Sequence, residues 1–392
     1  MSGPLDGIRV LDFTRQQQGP YATALMADMG ADVLKVEPRI DGEHGRQSER
    51  DKFGFSAYFE SYNRGKRSMT LDLKRLEAKQ IIEQLVPSVD VLTENFRPGV
   101  MDRLGLGYEA VRRLNPRLVY GSASAFGPEG PDSRRPGYDH VAQAVTGLMI
   151  EQGGGPGNDP VPGLPGLADQ VSATLFAFSI ASALIARQTT GQGQHVQVSL
   201  LGSTIALQGR QIMRFMRTGK QGRVRWRRSP VYSHYRASDG WVAIAAIEER
   251  MWLDLCRALD HPELETDPRF AGPWDRYHNA DELESALEAI FPERTVAEWT
   301  ERLTAQDVPN GPVNDYRQVV DDPQVLANGY IVDVDYPSLG TIRTTGIPIH
   351  MSGTVPGPVR PAPELGRHTE DVLLDLGYPW EQIGKLREDE VI

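Results

Sequence analysis

Short apolar runs alternate along the chain with stretches whose apolar positions recur at helical spacing. Residues 8–13 (IRVLDF) are β-branched and mostly apolar, the pattern of a parallel strand covered on both faces. The polar loop TRQQQGP follows, and Pro20 suits the first position of a helix, YATALMADMG, which Gly30 ends. Residues 31–37 (ADVLKVE) predict a second strand, so the chain opens on a right-handed βαβ unit. Ligands of such sheets bind beyond the carboxyl ends of the strands, which makes Arg15, Gln16, Gln17 and Gln18 candidate ligand positions. The alternation continues with strands at 68–73, 89–93, 118–124 and 195–200. Helices are expected at 75–86, 100–104, 108–114, 139–150 and 201–217.

Residues 162–192 stand apart. Two Pro-Gly breaks precede Asp169, and a long stretch without acidic or basic side chains follows it. Val171, Leu175, Phe178, Ala181 and Leu184 recur at helical spacing, while Phe176, Ile180 and Ile185 fill other faces, so a buried helix is expected. Asp169 sits where a loop enters that helix. It either caps the helix, a role worth about 0.5–2 kcal/mol, or serves as a covalent nucleophile. A helix start favours the ionised carboxylate and burial opposes it.

The composition shifts at 218–229 (TGKQGRVRWRRS), which reads as a basic linker. Beyond it, two strands flank Asp239-Gly240, a hairpin signal, and helices follow at 250–259, 281–291 and 296–305. This predicts a smaller α+β domain over 230–323. From 324 to 392 the pattern turns to strands again and closes on helices at 370–376 and 380–387. The fold class is therefore α/β: residues 1–217 form a large sheet domain, and 324–392 follow the smaller one.

Charge and chemistry narrow the reading. A formal net charge of −11 leaves no basic excess for nucleic acid as a partner. The single cysteine, Cys256, cannot form an internal disulfide and fits a buried thiol in a reducing cytosol. A leader pattern is not visible at the N-terminus, and no window has the length of uninterrupted apolar sequence expected of a membrane span, so neither export nor membrane attachment is expected. The first loop lacks the G-x-G-x-x-G of a dinucleotide site, and neither a Walker loop, zinc-ligand spacing nor a G-x-S-x-G elbow occurs, so no metal is expected. Arg39, Lys66, Arg67, Arg97, Arg103, Arg134 and Arg135 flank loops at sheet ends, where a small polyanion would find cations.

The blocks PLDGIRVLDFT, GADVLKVE, NRGKRSMTLDLK, ENFRPGVMDRLGLGYE, NPRLVYGSASAFG, GYDHVAQAVTG, DPQVLANGY and APELGRHTEDVLLDLGY occur in order. In them the chain resembles the class III coenzyme A-transferases, the family of formyl-CoA:oxalate and carnitine CoA-transferases that also contains α-methylacyl-CoA racemases. The resemblance implies a Rossmann-like large domain built from both chain ends, a smaller domain between them, and an interlocked homodimer. It implies CoA and acyl-CoA as substrates, with no tightly bound cofactor. Asp169 matches the nucleophilic aspartate, and Gln17 the first-loop glutamine at the acyl group or CoA. Backbone N–H groups at the start of the helix would serve as oxyanion donors. Gln16, Leu71, Lys74, Asn95, Phe96, Arg97, Arg103 and Tyr138 match CoA-contacting stretches. Arg39 falls one place beyond the family's basic residue, and Arg135 stands beside Pro136 where some relatives have lysine. The glycine run of formyl-CoA transferase has no counterpart near 225–245, which speaks against formate and oxalate. The racemase pattern has histidine where this chain has Tyr138. The expected activity is transfer of CoA from a thioester to a free acid; a racemase-like acyl-CoA enzyme and a non-catalytic CoA-binding relative are the alternatives.

Overall fold

The computed structural model describes residues 3–221, 229–337 and 339–392, so most of the expected linker, 222–228, lies outside the described residues. The chain divides into two compact units, one of Met1–Gln221 with Leu326–Ile392 and one of Gly222–Val325.

The first unit is built on a six-stranded sheet. In chain order its elements are β1 (Arg9–Asp12), α1 (Gln18–Asp28), β2 (Asp32–Glu37), α2 (Ala57–Asn63), β3 (Arg67–Thr70), α3 (Leu76–Leu85), β4 (Val91–Glu94), α4 (Val100–Arg103), α5 (Tyr108–Leu114), β5 (Val119–Ser124), α6 (Asp139–Val145), α7 (Leu148–Gln152), α8 (Leu167–Thr190), β6 (His195–Ser199), α9 (Leu200–Leu207) and α10 (Gly209–Thr218). The strand order is β3-β2-β1-β4-β5-β6 and every pairing is parallel. Successive side chains go to opposite faces: Val10, Val33, Val91 and Val119 join the layer of α1 and α8. Leu11, Leu34, Leu92 and Tyr120 join the layer of α3, α5 and the C-terminal helices. Both faces are covered, which is why these strands read as continuous apolar runs. The strand order reverses between β1 and β4, and their carboxyl ends open the crevice where such sheets bind ligands.

Several boundaries differ from the expected ones. Helix α1 starts at Gln18, so Pro20 lies inside its first turn, where no intrahelical N–H partner is required. The helix expected over 139–150 is two, broken at Gly147 with φ +79°. The one expected over 201–217 breaks at Gln208. Helix α8 is long and apolar enough to cross a membrane by length and composition, yet it packs along α1, α9, β5 and β6. Phe176 comes so close to the sheet that a Cβ on Gly121 would lie 2.7 Å from its ring. The expectation of burial on most sides fails on the opposite face, where Phe178 and Ile185 are 70% and 66% exposed.

The last residues of the chain close the β3 side of the sheet. His368 donates its N–H to the Ser68 carbonyl, Thr369 accepts the N–H of Thr70, and the Val391 carbonyl accepts that of Asp72. The second unit has a three-stranded antiparallel sheet of Tyr232–Arg236, Trp241–Ala245 and Asn310–Pro312. Helices Glu249–Leu259, Ala280–Ile290 and Val296–Ala305 contribute to its core of Trp252, Leu287, Phe291 and Trp299. Cys256 is buried there, and burial pushes its thiol up to about 12.

Beneath the crevice lies a buried ionic network. Asp12 accepts hydrogen bonds from the hydroxyls of Thr14 (2.5 Å), Thr23 (2.7 Å) and Thr93 (3.1 Å) and from Lys66 Nζ (3.0 Å). Lys66 also donates to the Pro20 carbonyl and to Asn63 Oδ1. Lys35 donates to the Thr14 carbonyl and pairs with Glu43 at 3.2 Å. Burial alone would raise Asp12; Lys66, Lys35 and the threonine hydroxyls overcome it and hold the carboxyl at about 2. Burial pulls Lys66 down to about 8 against the attraction of Asp12. Replacing Asp12 by alanine leaves buried cations short of a partner and should destabilise the protein by about 3–5 kcal/mol, read as a lower urea midpoint. In the native protein the contribution of Asp12 is complete above the ordinary carboxylate range and is lost as pH falls through about 2.

Candidate active site

Helix α8 begins at Leu167, and Gly166 precedes it with φ +81°. A Cβ at Gly166 would lie 2.3 Å from Gln17 Nε2, so the turn and the β1–α1 loop are in direct contact only because residue 166 is glycine. Gln17 is buried and donates to the Gly166 carbonyl at 3.4 Å. Gln18 donates to Ser172 Oγ at 2.7 Å. The loop itself is held in an unusual shape: Gln16 has φ +65°, and its N–H donates to Glu43 Oε2 at 2.7 Å.

The cap of α8 comes from another helix. Asp139, in the first turn of α6, accepts the N–H groups of Gly166 (3.0 Å), Ala168 (2.7 Å) and Asp169 (3.3 Å), and Gln143 steadies it at 2.8 Å. Asp169 therefore has no capping duty. Its half-buried carboxylate faces a cleft of about 800 Å³. Burial, with Asp139 as a like charge nearby, pushes it up to about 7. The helix-start N–H groups proposed as oxyanion donors are already engaged: Leu167 donates to the Leu164 carbonyl, Ala168 and Asp169 to Asp139, and Gln170 to the Gly166 carbonyl. That expectation is corrected; donors must come from elsewhere.

The cleft brings Gln16, Asn95, Phe96, Arg97, Arg135 and Tyr138 together with Asp169. Gln17 lies beside them, under Gly166. Four other expected contacts do not line it. Arg39 pairs with Glu390 at 3.1 Å, Leu71 is buried in the sheet core, and Lys74 and Arg103 are exposed outside it. Two of the basic residues singled out at sheet ends are structural: Lys66 belongs to the Asp12 network and Arg67 pairs with Asp32 at 2.7 Å. Among the described residues no group of three histidine, cysteine or acidic side chains could hold a metal ion.

The cleft also contains residues that sequence reasoning missed. Tyr58 and His44 line it. Tyr58 meets Tyr62 edge to face at 4.9 Å, and burial, with Asp169 close by, pushes the Tyr58 hydroxyl above its ordinary range. Tyr58 stands on α2, whose signal was present: Ser56 accepts the Phe59 N–H at 3.0 Å as an N-cap. Glu43 had no such signal, because its partners Gln16, Lys35 and Asn63 are distant in sequence.

A parallel α/β sheet whose crevice is lined by arginines and a carboxylate is suited to a small anionic ligand. The family model described as CoA-transferase family III matches residues 5–369. Acetyl-CoA:oxalate CoA-transferase of Acetobacter aceti is 36% identical over 96% of this chain and 97% of its own. Human succinyl-CoA:glutarate CoA-transferase is 34% identical over 99% and 90%. The solved structure of a CaiB/BaiF family protein from Brucella suis superposes with a TM-score of 0.85 at 31% identity, covering 96% of this chain and all of that one. The chain belongs to CoA-transferase family III.

Replacing Asp139 by alanine should cost the start of α8 about 1–2 kcal/mol. It should also lower the Asp169 carboxyl below its present value near 7, because a like charge is removed. Thermal unfolding and a carboxyl-carbon NMR titration of Asp169 measure the two effects.

Proposed function

We propose that this protein moves CoA from an acyl-CoA thioester to a free carboxylic acid, with Asp169 as the covalent carrier. The observation that carries the reading is the division between two aspartates: Asp139 takes the helix N–H groups, and Asp169 is left at the base of the cleft. The Asp169 carboxylate attacks the thioester carbonyl, giving a mixed anhydride and CoA thiolate. The thiolate attacks the aspartyl carbonyl, forms an aspartyl-CoA thioester and releases the donor acid. The acceptor carboxylate attacks that thioester to give a second anhydride, and the thiolate then takes the new acyl group and restores Asp169. Each anhydride must be kept from water. Gln17 and the N–H groups of Gln18 and Gly19, which precede the first intrahelical bond of α1 (Tyr21 N–H to the Gln17 carbonyl), are the alternative oxyanion donors. Asn95, Phe96 and Arg97 on one wall and Arg135 and Tyr138 on another would hold CoA.

At least one of the two acids exchanged is a short dicarboxylic acid on this reading, as the names of the two relatives above suggest: oxalate in one, succinate and glutarate in the other. The enzyme is a cytosolic homodimer: the bare face of Phe178 and Ile185 on α8, with Met213 and Met216 on α10 also exposed, is what a second copy would cover. A second reading, proton exchange at the acyl α-carbon, draws on His44, which shares the cleft with Asp169.

Incubation with acyl-CoA and hydroxylamine should label the Asp169 peptide, with no α-proton exchange in deuterated water. Exchange without label would favour the second reading. Replacing Asp169 by asparagine should remove the label and lower kcat by at least about 10³-fold. Because the ionised carboxylate is the nucleophile, kcat/KM should rise with pH through about 7 and level off above it. Light scattering should give twice the chain mass, and Phe178→Asp should reduce it.

A further inference from the structure

Arg15 lines the cleft with its backbone fixed on both sides and its charge left without an ion-pair partner among the described residues. Its N–H donates to Asn95 Oδ1 at 2.8 Å, and its carbonyl accepts from Asn95 Nδ2 at 2.8 Å, so one side chain holds both sides of its backbone. The guanidinium lies over the Phe96 ring, 4.7 Å from its centroid. Phe96 is fixed in turn, its N–H held by the buried carboxylate of Glu94 at 2.8 Å. Glu43 is the acidic group whose field reaches Arg15, but its oxygens are committed to Gln16, Asn63 and Lys35. Among the described residues no carboxylate forms an ion pair with Arg15. Arg135, by contrast, pairs with Asp132 at 3.1 Å. An exposed guanidinium held over an aromatic ring, on a fixed backbone and without an ion-pair partner among the described residues, is a site for an oxyanion, which it can take through two parallel N–H donors.

The loop places that cation near the nucleophile. Gln17 and Gln18 touch Gly166 and Ser172, on either side of Asp169 along the chain. Arg15 and Asp169 line the same cleft. When one end of a short diacid reacts at Asp169, the other is a carboxylate that has to be solvated or paired. We propose that Arg15 is the specificity-determining residue of the cleft, its guanidinium binding the free carboxylate of a dicarboxylic acyl group. This rests on the transferase reading above. CoA phosphates share the same oxyanion chemistry and are the competing occupant.

The test uses the full-length protein, Arg15→Ala and Arg15→Lys, with succinyl-CoA and butyryl-CoA, which carry the same number of acyl carbons. CoA affinity is measured separately by calorimetry, and urea midpoints check that the variants fold, since the ties to Asn95 use only the backbone of residue 15. Arg15→Ala should lower kcat/KM for succinyl-CoA by roughly 10–100-fold and leave butyryl-CoA and CoA affinity nearly unchanged, with Arg15→Lys intermediate. Equal loss with both donors together with weaker CoA binding would assign Arg15 to the phosphates and overturn the proposal. So would undiminished succinyl-CoA activity in Arg15→Ala, or a native enzyme without preference for the diacid. Hydroxylamine labelling of Asp169 with butyryl-CoA should persist in both variants, which separates failure of this proposal from failure of the covalent reading.

Discussion

Charge without water is the constraint on which the first unit depends. Asp12, Lys35, Glu37, Glu43 and Lys66 are all buried, and each is stable there only with its partners in place. The partners come from β1, β2, β3, α2 and the 38–47 segment, so the network ties the edge of the sheet to its centre. It also sets the shape of the β1–α1 loop from below. Lys35 holds the Thr14 carbonyl, Lys66 the Pro20 carbonyl, and Glu43 the N–H of Gln16 in its positive-φ conformation. The loop beside Asp169 is thus held in shape by the buried charges that contact it rather than by its own sequence.

The two aspartates near the start of α8 show how position divides one chemistry into two roles. A carboxylate whose oxygens accept several N–H groups has its lone pairs engaged and is a poor nucleophile. Asp139 is in that state. Asp169, on the helix that Asp139 caps, has burial and a like charge acting on it, which push its carboxyl up to about 7. Helix position alone did not show which carboxylate caps α8; the hydrogen bonds that Asp139 accepts do.

Much of the scaffold was legible in the sequence. Alternating apolar runs identified the parallel strands because both sheet faces are covered, and the Asp239-Gly240 turn marked the hairpin of the second unit. Breaks inside helices were less legible: Gly147 reads as tolerable in a helix until its positive φ is known. Exposure of one face of α8 was illegible, since an apolar residue on an exposed face looks the same in the sequence as one in a core. Of the expected ligand positions, those on the loops after β1 and β4 and before α6 meet in the cleft, because strand ends and helix starts converge there. Lys66, expected as a surface cation, is buried because its partners lie at residues 12, 20 and 63.

The C-terminal seal on β3 has a consequence for how the chain is made. Ser68 and Thr70 find their partners in His368 and Thr369, some 300 positions later. During synthesis the large sheet emerges first but keeps one side open until residues 368–391 have been made. Gly222–Val325, an uninterrupted segment with its own core, is complete well before that. The order of domain maturation is therefore the reverse of the order of emergence, and the nascent β3 edge is the part of the molecule that most needs protection from mispairing.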